Sequence, residues 1–116
     1  MQVKKYDIVI VDLDPVKGSE QSGIRPCLVI QNNEANWRSS TTVVCSFTSV
    51  IKSYPNMVIT EPSVGNGLDC KSRLDILQIR TVDRSRIVKK IGELDHRYRV
   101  EFKLKFIDSF DLEDLF

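Results

Sequence analysis

The chain predicts a mainly β fold, a small barrel or sandwich of short strands, ending in an α-helix. Three observations lead there. Short apolar, β-branched runs recur along residues 7–94 with turn chemistry between them. At 116 residues with 41% hydrophobic content, one domain with a modest core is expected. Segment 95–114 has neither glycine nor proline, and it is longer than the ~10 residues a strand seldom exceeds.

The elements follow in order. Residues 7–13 alternate around Ile8 and Ile10 and read as a strand, closed by Asp14-Pro15 because proline lacks a ladder donor. A polar loop runs to Ile24, where Gly18 and Gly23 permit backbone angles that a Cβ forbids. Residues 25–31 form a second strand, and Pro26 biases Arg25 toward extended geometry at its mouth. Residues 32–40 are polar and read as a loop with one helical turn, and 41–48 are β-branched, a third strand. Tyr54-Pro55-Asn56 is a turn before a short strand at 57–60, and Gly65-Asn66-Gly67 marks the loop 62–67. Strands at 74–82 and 86–94 flank the turn Asp83-Arg84-Ser85, the second interrupted by Gly92.

The last segment carries two periodicities. Tyr98, Val100, Phe102, Leu104 and Phe106 alternate as in a strand, whereas Tyr98, Phe102, Phe106 and Phe110 fall at helical i, i+4 spacing. Length decides for a helix over about 95–114, with Asp95 as its N-cap. The whole chain, 1–116, is expected to be one domain, with the barrel over about 5–94.

Composition narrows the function classes. No run approaches the ~20 apolar residues of a membrane span, and no apolar signal core follows the first lysines, so a cytoplasmic protein is expected. Three widely spaced cysteines, Cys27, Cys45 and Cys70, include no Cys-x-x-Cys pair, which leaves a zinc knuckle unsupported; Cys27 and Cys45 read as buried thiols. The net charge of +1 divides into +4 over residues 1–90 (13 Lys/Arg, 9 Asp/Glu) and −3 over 91–116 (4 against 7). A duplex binder would be more basic, but a protein gripping a few single-stranded nucleotides fits.

The run Asp12-Leu13-Asp14-Pro15-Val16-Lys17-Gly18-Ser19-Glu20-Gln21-Ser22-Gly23-Ile24-Arg25-Pro26-Cys27 resembles the opening signature of the MazF/PemK (Kid) family of toxin endoribonucleases. Cys45-Ser46-Phe47-Thr48, Lys52-Ser53-Tyr54-Pro55, Leu77-Gln78-Ile79-Arg80-Thr81 and Asp83-Arg84-Ser85-Arg86 match in the same order. The resemblance implies an SH3-like barrel with a C-terminal helix and a homodimer. It implies cleavage of single-stranded mRNA without metal or cofactor. It also implies a cognate antitoxin whose flexible segment lies across the RNA groove.

Such cleavage uses the neighbouring 2′-hydroxyl as nucleophile. A histidine pair commonly moves the protons, but His96 is the chain's single histidine, which excludes a two-histidine ribonuclease. Arg25 is the expected electrostatic partner of the transition state, because its planar fork matches phosphate oxygens. Thr48 aligns with the family's catalytic Thr/Ser and is preferred to Ser49, which would face the other way in a strand. Glu20 is the candidate general base, with orientation of the loop as its plainer role. Some relatives carry an acidic residue where this chain has Leu77, which puts more weight on Glu20. Ser19, Gln21 and Gln78 are candidate RNA contacts, and Arg80, Arg84 and Arg86 candidate phosphate attractors. Trp37 and Tyr54 read first as core aromatics and second as base-stacking platforms. A CcdB-like gyrase poison is disfavoured by the end Glu113-Asp114-Leu115-Phe116, which lacks a terminal tryptophan. Arg25 and Thr48 argue against a non-catalytic SH3-like binding module.

Overall fold

The computed structural model describes residues 2–115. Strands β1 (Asp7–Asp12), β2 (Ile24–Val29), β3 (Thr41–Thr48), β4 (Met57–Thr60), β5 (Ser72–Asp83) and β6 (Ile87–Glu93) form one antiparallel sheet in the order β4-β5-β3-β2-β1-β6. Helices α1 (Asn33–Arg38) and α2 (His96–Ser109) complete the fold, with single 3₁₀ turns at Arg84–Arg86 and Leu112–Leu115. The edge strands β4 and β6 do not pair, so the sheet is barrel-like without being closed. None of the described helices is long and apolar enough to cross a membrane.

Alternation along the strands builds two apolar clusters, one on each face. Ile8, Leu28, Cys45, Phe47, Leu74 and Ile76 fill one, which Phe102 of α2 completes. Val9, Val11, Cys27, Val29, Val44 and Val82 fill the other. The expected aromatic stripe forms the inner face of α2 as far as Phe106: Phe102 is 6.3 Å from Tyr6 and 5.8 Å from Phe106, and Phe110, just past the helix end and 39% exposed, is 5.1 Å from Phe106. The helix ends before the expected 114, because Asp111 turns to a φ of 50° and the chain leaves the helical region.

Two expectations are corrected here. Trp37 is 75% exposed and Tyr54 51% exposed, so neither is a core aromatic. The reason at α1 is local. Asn32 caps the helix by accepting from the Ala35 amide at 2.8 Å, and this sets the six-residue helix with Asn36 inward. Asn36 satisfies its amide against Gln31 and Thr42, so burial costs it little, and Trp37 is turned outward.

Asp95 stands at the N-cap position of α2 but makes no side-chain capping bond. Its carboxylate accepts instead from Ser63 Oγ at 2.8 Å and Asn66 Nδ2 at 2.7 Å, tying the 62–67 loop to the helix start. Burial raises its pKa, but these hydrogen bonds, a backbone bond and Arg97 outweigh burial and hold it below the usual 3.8. A folded pKa below the unfolded one stabilises fully above 3.8, and that contribution is lost as pH falls through the folded value. Asp95→Ala should therefore destabilise the protein by about 1–3 kcal/mol at neutral pH. Urea unfolding should show the gap from wild type narrowing in acid; a gap that stays constant down to full protonation would refute the ionised contact.

Candidate active site

Strand pairing assembles the site. The β2–β3 register sets Cys27 opposite Ser46, Leu28 opposite Cys45 and Val29 opposite Val44. Arg25 lies two residues from Cys27 and Thr48 two residues from Ser46, so alternation puts both on the face shared by that pair, and both line a cavity of about 340 Å³ that Ser49, Asp69 and Cys70 also border.

Arg25 is held by one hydrogen bond, from its Nε to the Ser22 carbonyl at 2.7 Å. Its terminal nitrogens have no partner among the described residues and remain available as a fork of donors. Gly23, at a φ of 80°, makes the sharp bend that brings Ser22 back over the arginine. Thr48 is 8% exposed; its Oγ1 accepts from the Val50 amide at 3.3 Å, leaving its own proton to donate. Ser49 is exposed just beyond the strand end.

A second cavity of about 190 Å³ gathers Ser19, Glu20, Gln21, Ser46, Gln78 and Arg80. Gln78 Oε1 accepts from the Gln21 amide at 3.1 Å, and Ser46 Oγ donates to Gln21 Oε1. Glu20 lies here, apart from the Arg25–Thr48 cavity, and its Oε1 accepts from the Lys17 amide at 2.9 Å. Its carboxylate thus braces the loop from within. Leu77, 55% exposed, forms an apolar edge of this cavity.

Arg80 on β5 and Arg84 and Arg86 in the β5–β6 connection have protein partners. Arg80 donates from Nη1 to the Leu13 carbonyl at 2.8 Å while still lining the second cavity. Arg86 donates from Nη1 to the Asp12 carbonyl at 3.3 Å and to that of Asp14, and lines neither of these two cavities. Arg84 donates to Gln2 Oε1 at 3.2 Å. Asp14 Oδ1 accepts from the Gly23 amide at 3.1 Å, and the Leu13 amide donates to the Gly23 carbonyl at 3.0 Å. Arg80 and Arg86 therefore grip the neck of the loop that ends at Arg25.

Other candidate groups stay apart from the site. Cys27 and Cys45 are buried as expected. Burial pushes the Cys27 thiol up to about 12 against the opposing pull of Arg25 and Arg80, and it raises Cys45 too, so neither is a thiolate nucleophile. His96 is exposed at the start of α2. Sequence reasoning missed Ser46, although its i, i+2 relation to Thr48 puts both on one strand face. It also missed Asp69 and Cys70, which enter through a connection with no strand signal.

The family model described as "PemK-like, MazF-like toxin of type II toxin-antitoxin system" matches residues 4–110. Endoribonuclease EndoA of Bacillus subtilis is 41% identical over 96 residues, covering 82% of this chain and 83% of that protein. The crystal structure of MazF from Deinococcus radiodurans superposes with a TM-score of 0.81 at 26% identity, covering 96% of this chain and 98% of that one. An endoribonuclease from a mycobacterial species, solved in complex with its cognate antitoxin, gives a TM-score of 0.80 at 18% identity over 95% of this chain and 96% of that one, a likeness of fold alone.

Proposed function

The chain belongs to the PemK-like, MazF-like toxin family of type II toxin–antitoxin systems, and we propose that it is an endoribonuclease toxin cutting single-stranded mRNA at Arg25 and Thr48. The supporting observation is that the fold brings a free guanidinium fork and a threonine hydroxyl to one open cavity.

In this mechanism a ribose 2′-hydroxyl loses its proton to solvent as its oxygen attacks the adjacent phosphorus, the P–O5′ bond breaks, and the leaving O5′ takes up a proton. The products are a 2′,3′-cyclic phosphate and a 5′-hydroxyl end. Arg25 neutralises the non-bridging oxygens as charge grows on the phosphorane, and its fixed Nε leaves the outer nitrogens aimed outward. The Thr48 hydroxyl donates to a phosphate oxygen and orients the 2′-hydroxyl. Ser19, Gln21 and Gln78 read base edges in the second cavity, where Gln78 keeps its NH₂ as a donor after its oxygen is taken by Gln21. Arg80 adds attraction for phosphate there. The working unit is a cytoplasmic homodimer, and the flexible segment of a cognate antitoxin covers the same groove.

Purified protein incubated with a long RNA in excess EDTA should cut at discrete short sequences and leave 5′-hydroxyl ends. Mapping those ends is the test. Cutting only after magnesium is added would overturn the reading, as would RNA that is bound tightly and left intact.

A further inference from the structure

Strand β5 carries a cation that the mechanism above does not use. Arg73 is the register partner of Thr48, and alternation from the Cys27–Ser46 pair puts Arg25 and Thr48 on one face. Arg25, Thr48 and Arg73 therefore stand on three neighbouring strands, β2, β3 and β5, with Thr48 on the middle one. Phe47 and Leu74, each one residue away, point into the apolar cluster beneath α2. Alternation then fixes Thr48 and Arg73 on the opposite face, the one that carries Arg25.

Among the described residues nothing uses the Arg73 donors fully. Its Nε is buried and has no hydrogen-bond partner among them. Among the described residues its guanidinium joins no ion pair. Asp75 is two residues along on the same strand face, but its Oδ1 accepts from the Leu77 amide at 3.1 Å. A buried donor without an acceptor is costly, and such groups in native structures call for a specific explanation. The terminal nitrogens are not among the buried unpartnered atoms, so they are the part of Arg73 that an anion from outside can meet, and a guanidinium is suited to a phosphodiester.

We propose that Arg73 binds the RNA phosphate next to the scissile one, so that the strand is gripped on both sides of Thr48. This rests on the ribonuclease reading for its substrate. Arg25 takes the reacting phosphate, and Arg73, one strand beyond Thr48, holds the neighbour and sets how the chain lies across the cavity.

The test is binding of a single-stranded oligonucleotide with 2′-methoxy riboses, which cannot be cleaved, across a salt series. Arg73→Gln should weaken binding about tenfold and flatten the slope of log affinity against log salt by about 0.7, the value for one single-strand phosphate contact. KM for cleavable RNA should rise in step while kcat changes less than about threefold. Arg73→Lys should recover part of the affinity, and it covers the case in which the glutamine variant does not fold. Unchanged affinity and salt slope would overturn the proposal. So would a loss of kcat at constant KM, or weaker self-association at constant RNA affinity, which would assign Arg73 to a second copy of the chain. Wild-type protein that binds the 2′-methoxy oligonucleotide and leaves unmodified RNA uncut would sink the ribonuclease reading and leave the Arg73 contact standing.

Discussion

Arg25→Ala is expected to lower the rate of RNA cleavage by a factor of about 10²–10³, the usual effect of removing one preorganised donor from a developing oxyanion. The loss should fall on kcat more than on KM, because the guanidinium meets the extra charge chiefly as the phosphorane forms. The fold should survive. Arg25 is partly exposed, its single hydrogen bond goes to a loop carbonyl, and both apolar clusters are built from other residues. Arg25→Lys should recover little, since an ammonium cannot reproduce the fork. Single-turnover cleavage beside a thermal melt separates chemistry from folding. An alanine variant that cuts within about threefold of wild type would remove Arg25 from the mechanism.

The largest expected effect on stability is at Gly67. Its φ is 68°, and a Cβ built there would lie 2.1 Å from the Ile91 carbonyl oxygen and 2.9 Å from its carbon. Backbone cannot yield as a flexible side chain can. The strained φ and the overpacking together should cost Gly67→Ala about 4 kcal/mol. That is a large part of the 5–15 kcal/mol typical of a domain, and the midpoint of thermal unfolding should fall by about 15 °C. Gly18 is the control. It also has a positive φ, 59°, but nothing lies within 4 Å of its Cβ position, so Gly18→Ala should cost only about 1 kcal/mol. Equal melting of the two variants would show that the contact with β6 is not the cause.

Sequence patterning captured what depends on local chemistry. The β-branched run at 41–48 is β3, Thr41–Thr48, and the aromatic i, i+4 stripe, as far as Phe106, is the packed face of α2. Length outweighed the competing strand alternation there, because no neighbouring strand would satisfy so long a ladder. The turn Gly65-Asn66-Gly67 was legible, but its contents were not. Buried Asn66 bonds Glu61, Ser63, Leu68 and Asp95, an arrangement set by the docking of α2.

Much of the site depends on pairings between distant segments, and these no motif displays. Nothing local to Arg80 or Arg86 announces that each will hold a carbonyl more than 60 residues away. Glu20 could be named from the loop, but it is exposed, accepts from the Lys17 amide, and lines the second cavity rather than the one that holds Arg25. The expectation for Trp37 rested on lone aromatics being core residues more often than not, while the fold needed a residue able to bond Gln31 and Thr42 together and buried Asn36 instead.

The division into two cavities has an engineering consequence. In the proposed mechanism the scissors and the reading head are separate parts, the first seated on Arg25 and Thr48 and the second on Ser19, Gln21 and Gln78, which line different cavities. Recoding the target word then becomes a matter of exchanging short stretches around residues 19–21 and 77–79, with the blade left untouched.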